Sequence, residues 1–126
     1  GLAARTWLRQ QTDKTRAARI VTIGTPHHGT GLARLPLPEI GRNSAQMNPR
    51  SPWIRDLGQD DGTKKPATAR YGSFVCYYSN SDNIVFPATT ACLEGADNRH
   101  VPGVAHVALV PNVQVMNETL ALIQTT

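Results

Sequence analysis

The chain is 126 residues long and 40% hydrophobic, which suits one folded domain with one core and excludes a disordered protein. No apolar run approaches the ~18 residues that a transmembrane helix needs, so the sequence predicts no membrane span. The net charge of +4 is unevenly distributed, because residues 1–55 hold nine Lys or Arg against two acids.

A basic half of this kind raises the question of a nucleic-acid partner. The basic side chains nearest the start are Arg5, Arg9, Lys14, Arg16 and Arg19. They fall on a predicted helix and the loop after it, and they are not interleaved with stacking aromatic residues. A solvated helix face explains them better than a nucleic-acid interface, so no nucleic-acid partner is expected.

The chain begins in a predicted amphipathic helix that covers residues 1–12. Its apolar side chains recur at helical spacing, and they are Leu2, Ala3, Ala4, Trp7 and Leu8. No Ser, Thr, Asp or Asn precedes Leu2 to cap the helix. This pattern suggests that the native helix is entered from a segment upstream of Gly1.

Three short segments have the composition of buried strands, namely residues 18–24, 72–78 and 99–104. Between the first two, residues 44–57 form the one ordered-looking piece of a polar, Pro- and Gly-rich stretch. A last helix is predicted to begin at Pro111, since Pro suits the first helical position. The order of elements predicts an α/β fold with a mostly parallel sheet and flanking helices.

Two polar residues, Asp82 and His106, each follow the end of a predicted strand. In a parallel sheet both would lie at the carboxyl edge, where α/β proteins build their sites. A histidine there can act as a general base, and a carboxylate can fix its tautomer. The order Asp then His along the chain is also the second half of the Ser, Asp, His order of one class of hydrolase.

Several segments together resemble α/β-hydrolase lipases and esterases. Val21–Thr30, which reads VTIGTPHHGT, resembles the segment around the strand after their nucleophile. Ser79–Pro87 is similar to their acid-bearing turn, and Val101–Leu109 is similar to their catalytic-histidine loop. Residues 44–57 resemble part of the insertion that often covers the substrate cleft.

The resemblance implies the C-terminal part of an α/β-hydrolase fold. Its parts would be a helix after the nucleophile at 1–12, a lid-like insertion at 31–68, and an acid- and histidine-bearing part at 69–126. It implies Asp82 and His106 as the catalytic acid and base of a carboxylic-ester hydrolase.

The resemblance also implies an ester or lipid substrate, no cofactor and no metal. Four side chains are expected to contact the substrate, and they are His27, His28, Met47 and Trp53. A metal site on the adjacent histidines is disfavoured, because neighbours in an extended segment point to opposite sides. Since many such lipases are exported, the family favours a secreted or cell-envelope protein.

The nucleophilic serine is expected to be missing from this sequence. In the family it lies in a G-H-S-x-G-G elbow directly before the first helix, so Gly1 would be the last glycine of that elbow. The candidate serines of the chain, Ser44, Ser51, Ser73, Ser79 and Ser81, do not fall in a G-x-S-x-G motif. The chain is therefore predicted to be inactive by itself.

The alternative function is a non-catalytic module that associates with itself or with a binding partner. In the family another strand pairs with residues 20–24, so this edge is expected to be unpaired here and to form a homodimer or swapped oligomer. Asp97 and His100 form a second, less favoured acid–histidine pair, with Asp97 in a predicted turn. Whether Cys76 and Cys92 form a disulfide stays open.

Overall fold

The chain folds as an α/β protein in a computed structural model that describes residues 1–11, 19–35, 43–59 and 71–125. Three strands form one sheet, and they are β1 (Ile20–Ile23), β2 (Phe74–Tyr78) and β3 (Asp97–His100). Helices flank the sheet, so the predicted fold class is confirmed at this level. The predictions for residues 12–18, 36–42 and 60–70 lie outside the described residues.

The sheet has the order β1-β2-β3, and both pairings are parallel. Ile20 lies opposite Phe74 in one pairing, and Val75 lies opposite Asp97 in the other. Because parallel strands end at the same edge, the segments that follow Ile23, Tyr78 and His100 emerge side by side.

The α-helices of the described ranges are α1 (Leu2–Gln10), α2 (Asn43–Gln46), α3 (Pro52–Gln59), α4 (His106–Leu109) and α5 (Val113–Gln124). Two short 3-10 helices cover Gly31–Arg34 and Ala88–Ala91. The predicted first helix is therefore present as α1, and the ordered piece predicted at 44–57 overlaps α2 and α3, which begin and end up to two residues outside it. None of the described helices is long and apolar enough to cross a membrane.

The core lies on both faces of β2, whose alternating side chains divide into two clusters. Val75 and Tyr77 belong to one cluster, which α4 and α5 complete with Leu109 and Val115. On the opposite face, Phe74 and Cys76 pack with three further side chains, Tyr71, Leu93 and Leu8 of α1. The expectation of a strand buried on both faces is met by β2.

The third strand differs from its prediction at residues 99–104. The observed β3 begins two residues earlier, includes Asp97 and Asn98, and ends at His100. Its side chains are mostly exposed, because β3 is an edge strand, so it lacks the apolar run by which a buried strand is recognised. The prediction that Asp97 lies in a turn was wrong for the same reason.

The last helix also begins later than predicted. Pro111 precedes it, Asn112 is the N-cap residue, and the helix starts at Val113. The Asn112 side chain accepts hydrogen bonds from the N–H groups of Gln114 and Val115, at 3.0 and 3.2 Å. An Asn in this position satisfies donors that no helical carbonyl reaches, so it sets the start of α5.

The guanidinium of Arg5 joins three parts of the fold. Arg5 is 4% exposed, although it lies on the polar-looking stretch of α1. It donates to the His27 carbonyl at 2.7 Å, to the Leu57 carbonyl at 2.9 Å and to the Tyr71 hydroxyl at 3.0 Å. These bonds connect α1 with the loop after β1 and with α3, so the solvated-face interpretation was wrong for Arg5.

Both cysteines are free thiols. Cys76 is buried in β2, and Cys92 is half-buried after the second 3-10 helix. Burial raises the pKa of each thiol, which keeps the sulfur protonated and unreactive at neutral pH. The disulfide that the sequence left open is therefore not formed.

Replacing Arg5 with Met should lower the free energy of unfolding by about 3 kcal/mol, since three buried acceptors lose their donor. The measurement is urea unfolding followed by circular dichroism. Arg9→Met, at an exposed position of the same helix, is the matched control and should cost less than about 0.5 kcal/mol. Equal losses in the two variants would contradict this role of Arg5.

Candidate active site

Asp82 and His106 form a hydrogen-bonded pair at the carboxyl edge of the sheet. The distance from His106 Nδ1 to Asp82 Oδ2 is 2.8 Å. The aspartate side chain is 2% exposed, whereas the histidine side chain is 28% exposed. The buried carboxylate thus holds one ring nitrogen, and the partly exposed ring presents the other side to solvent.

The turn after β2 positions Asp82. Its second carboxylate oxygen, Oδ1, accepts the backbone N–H groups of Ile84 and Val85 at 2.8 and 2.7 Å. This is an Asx-type turn, in which a short carboxylate satisfies backbone donors of its own loop. The two bonds hold Oδ1 in place, so Oδ2 is left to face His106.

Ser79 connects the acid-bearing turn to the histidine loop. Its hydroxyl is fully buried and accepts the N–H groups of Ser81 at 3.1 Å and Val104 at 3.2 Å. A further bond runs from the His106 N–H to the Asn83 side chain at 3.3 Å. The sequence predicts Ser79 in the acid-bearing turn and outside a nucleophile motif, and its place at the end of a buried strand was the available signal for this structural role.

Gly24 lies beneath the imidazole of His106. It has φ +56°, and a Cβ built there would lie 3.1 Å from His106 Nδ1 and 3.0 Å from Leu109 Cδ1. A side chain at this position would be strained and would also displace the ring. The turn at the end of β1 therefore needs glycine so that the histidine can approach the backbone.

An apolar cleft of about 720 Å³ opens beside the histidine. His106 lines it together with residues from four segments of the chain. The other lining residues are Gly1, Leu2, Ala3, Ile23, Gly24, Thr25, Pro26, Thr30, Leu32, Ala33, Ser44, Met47, Ile84 and Val85. Most of this surface is carbon, which suits an apolar group next to a polar reacting centre.

The segment 43–50 is fastened to the site through the loop after β1. The Thr30 N–H donates to the Met47 carbonyl at 2.9 Å. The Thr30 hydroxyl donates to the Ile84 carbonyl at 2.6 Å and accepts the Phe86 N–H at 3.2 Å. One threonine therefore joins the segment 43–50 to the turn that carries Asp82.

The four residues expected to contact the substrate differ in their position relative to the cleft. Met47 lines the cleft, whereas His27, His28 and Trp53 do not belong to its lining. His27 is fully buried and His28 is exposed, with its N–H donating to the Thr90 carbonyl at 3.1 Å. Substrate contact stays a prediction for these residues, and the geometry favours it for Met47.

His27 instead belongs to the core beneath the cleft. Its Nε2 lies 3.1 Å from the Thr22 hydroxyl, and its ring packs edge-on against Phe74 with 6.3 Å between ring centroids. Burial, reinforced by the charge of Arg5, lowers the pKa of His27 to about 3. The ring is therefore neutral at physiological pH.

Asp97 and His100 do not form the alternative pair. Asp97 binds Arg99 at 2.7 Å, and His100 Nε2 accepts the Asn80 N–H at 3.3 Å. Arg99 also bridges to Glu118 of α5 at 2.8 Å. In the described part of the chain, no group of three or more His, Cys, Asp or Glu is arranged to hold a metal ion.

Comparison of the chain with protein-family models, with curated proteins and with solved structures finds no match. The geometry of the Asp82–His106 pair and its cleft is therefore the main basis for a function.

Replacing Asp82 with Asn should reverse the tautomer of neutral His106. Aspartate accepts a hydrogen bond from Nδ1–H, which leaves the Nε2 lone pair free, whereas an Asn whose oxygen keeps its backbone bonds would turn its NH₂ group toward Nδ1. Nitrogen-15 NMR of the imidazole would report the change. Asp97→Asn is the control, and an unchanged tautomer in Asp82→Asn would contradict the pairing.

Acid should destabilise the fold through His27. Because its folded pKa lies below the unfolded value, its contribution is complete above about pH 6.5 and is lost as the pH falls toward about 3. The loss should reach about 3 kcal/mol by about pH 4. The free energy of unfolding, measured with urea at each pH across this range, should depend less steeply on pH in His27→Gln than in the wild type. His100→Gln is the control and should keep the wild-type pH dependence. An equally steep pH dependence in His27→Gln and the wild type would contradict the burial of a neutral His27.

Proposed function

We propose that the chain carries the acid and base of a carboxylic-ester hydrolase of the lipase or esterase kind. The observation that supports this most is the 2.8 Å bond between a buried Asp82 carboxylate and His106, set against an apolar cleft. The order of these residues along the chain and the Val21–Thr30 segment add the family resemblance. The finer fold, the C-terminal part of an α/β-hydrolase, is part of the same proposal.

In the proposed reaction His106 acts through Nε2. The Nδ1–H group of His106 donates a hydrogen bond to Asp82, and the Nε2 lone pair takes the proton of a serine hydroxyl as that oxygen attacks the ester carbonyl. The imidazolium then returns the proton to the leaving alcohol, and an acyl-enzyme remains. Water, activated by the same nitrogen, hydrolyses the acyl-enzyme and releases the acid.

The proposal requires a serine from outside the described residues. The start of α1 indicates where this serine would lie, because Gly1, Leu2 and Ala3 line the same cleft as His106. A serine on a segment leading into Gly1 would enter at this end. The N–H groups of the first helical turn have no partner within the helix, and such groups suit the negative charge that develops on a carbonyl oxygen.

The composition of the cleft supports an ester with an apolar acyl group. Ile23, Leu32, Met47 and Val85 supply apolar side chains around the histidine. Burial of each methylene of such a group contributes about 0.8 kcal/mol. A hydrocarbon chain therefore suits this surface better than a charged or sugar-like substrate.

Hydrolysis of p-nitrophenyl butyrate tests the proposal. The 126-residue chain should show no hydrolysis above background, and a version with a Gly-His-Ser-x-Gly elbow joined ahead of Gly1 should be active. His106→Ala in that version should lower kcat about 10⁶-fold, since a triad without its base loses nearly all the catalysis that the triad supplies. His100→Ala is the matched control and should retain the activity.

Ser44 provides the decisive comparison, since it is a serine of the cleft lining itself. If the 126-residue chain hydrolyses the ester and loses this activity in Ser44→Ala, the requirement for an outside serine is wrong. If the extended chain is folded and inactive, the assignment of Asp82 and His106 as a hydrolytic pair is wrong.

A further inference from the structure

The acid-bearing turn reaches the histidine loop through three side chains. Asp82 Oδ2 binds the ring of His106 at Nδ1, 2.8 Å away. The other two side chains bind the backbone of the loop. Ser79 Oγ accepts the N–H of Val104 at 3.2 Å, and this bond holds the loop just before the helix α4. Asn83 Oδ1 accepts the N–H of His106 itself at 3.3 Å. The turn therefore holds the backbone of the histidine loop as well as its ring.

The helix that begins at His106 has no cap of its own. α4 starts directly after Ala105, whose methyl side chain forms no hydrogen bond to the N–H groups of the first turn. Ser, Thr, Asp or Asn usually supplies an acceptor at this position, because helical carbonyls do not reach these groups. Here the acceptor comes from Asn83, 23 positions earlier in the chain. The position of the His106 backbone thus depends on the acid-bearing turn.

The two backbone-binding side chains lie on a well-anchored turn. Ser79 directly follows the last residue of β2 and is fully buried. Its hydroxyl oxygen also accepts the N–H of Ser81 at 3.1 Å, and its carbonyl accepts the N–H of Asp82 at 3.1 Å. Asn83 directly follows Asp82, whose Oδ1 is bound to two backbone N–H groups. Side chains supported in this way can define where a neighbouring loop lies.

We propose that Ser79 and Asn83 are positioning residues for His106. An imidazole is joined to its Cα by two rotatable bonds, so a fixed backbone and a fixed Nδ1 together determine where Nε2 lies. Ser79 and Asn83 fix the backbone, and Asp82 fixes Nδ1. The positioning role rests on the proposed function, in which His106 is the base, whereas the hydrogen bonds themselves do not involve a substrate.

Loss of either backbone contact should loosen the bond between the ring and Asp82. A ring that leaves Asp82 loses the acceptor that keeps its proton on Nδ1. A share of the neutral imidazole then carries the proton on Nε2, where no lone pair remains to take a proton from the serine. Neither Ser79 nor Asn83 belongs to the lining of the cleft, so the binding of an ester should change little. Their removal should therefore lower kcat, leave KM unchanged and change the tautomer of His106.

Nitrogen-15 NMR of the imidazole in the 126-residue chain tests the geometry without any catalysis. Asn83→Ala should raise the fraction of neutral His106 that carries its proton on Nε2. Asn83→Asp keeps an acceptor oxygen in the same place and should retain the wild-type tautomer. Asn80→Ala is the matched control, because both Asn residues are exposed in the same turn and, of the two, Asn83 is the one whose side chain binds the histidine loop. Ser79→Ala should act in the same direction as Asn83→Ala, and circular dichroism checks that each variant folds.

Hydrolysis of p-nitrophenyl butyrate by the chain extended with the Gly-His-Ser-x-Gly elbow tests the effect on the reaction. Asn83→Ala should lower kcat about 10-fold and leave KM unchanged, because small displacements of a catalytic group have effects of this order. Asn83→Asp should restore kcat. A higher KM with an unchanged kcat in Asn83→Ala would instead place this side chain in substrate binding and overturn the positioning role.

The NMR measurement separates this proposal from the proposed function. An unchanged tautomer in both folded Asn83→Ala and folded Ser79→Ala would overturn the positioning role, as would an equal change in Asn80→Ala. A changed tautomer in Asn83→Ala, together with an inactive extended wild-type chain, would reject ester hydrolysis and support the positioning of the ring by Asn83.

Discussion

Parallel pairing on both sides of β2 is the constraint on which the rest of the structure depends. It brings the loop after β1, the turn after β2 and the loop after β3 to one edge of the sheet. Gly24, Asp82 and His106 come from these three places, although 82 positions separate the first from the last. The same constraint buries β2 between two clusters, and this rigid centre holds the acid-bearing turn.

Polar groups below the cleft then fix how the loops lie on the sheet. Ser79 connects the acid-bearing turn to the histidine loop. Thr30 connects both the segment 43–50 and the acid-bearing turn to the loop after β1, and Arg5 binds that loop from α1. Each of these side chains is buried and reaches backbone groups that would otherwise lack partners. The spacing of Asp82 and His106 is therefore a property of the surrounding network as well as of the pair.

The sequence predicted the parts of the molecule that depend on local pattern. The apolar run of β2 and the positions of Asp82 and His106 after strands could be predicted, because buried strands are rich in apolar residues and turns are rich in Gly, Ser, Asn and Asp. The prediction placed β3 two residues too late, because an exposed edge strand needs no apolar run. Burial of His27 and Arg5 was missed since only contacts distant in sequence decide whether a polar side chain lies inside.

The spacing of the strands along the chain bears on the order in which the sheet forms. Val75 pairs with Asp97, 22 positions later, whereas Ile20 pairs with Phe74, 54 positions later. Closing the longer loop costs roughly 0.8 kcal/mol more in chain entropy. This difference favours pairing of β2 with β3 before pairing of β1 with β2.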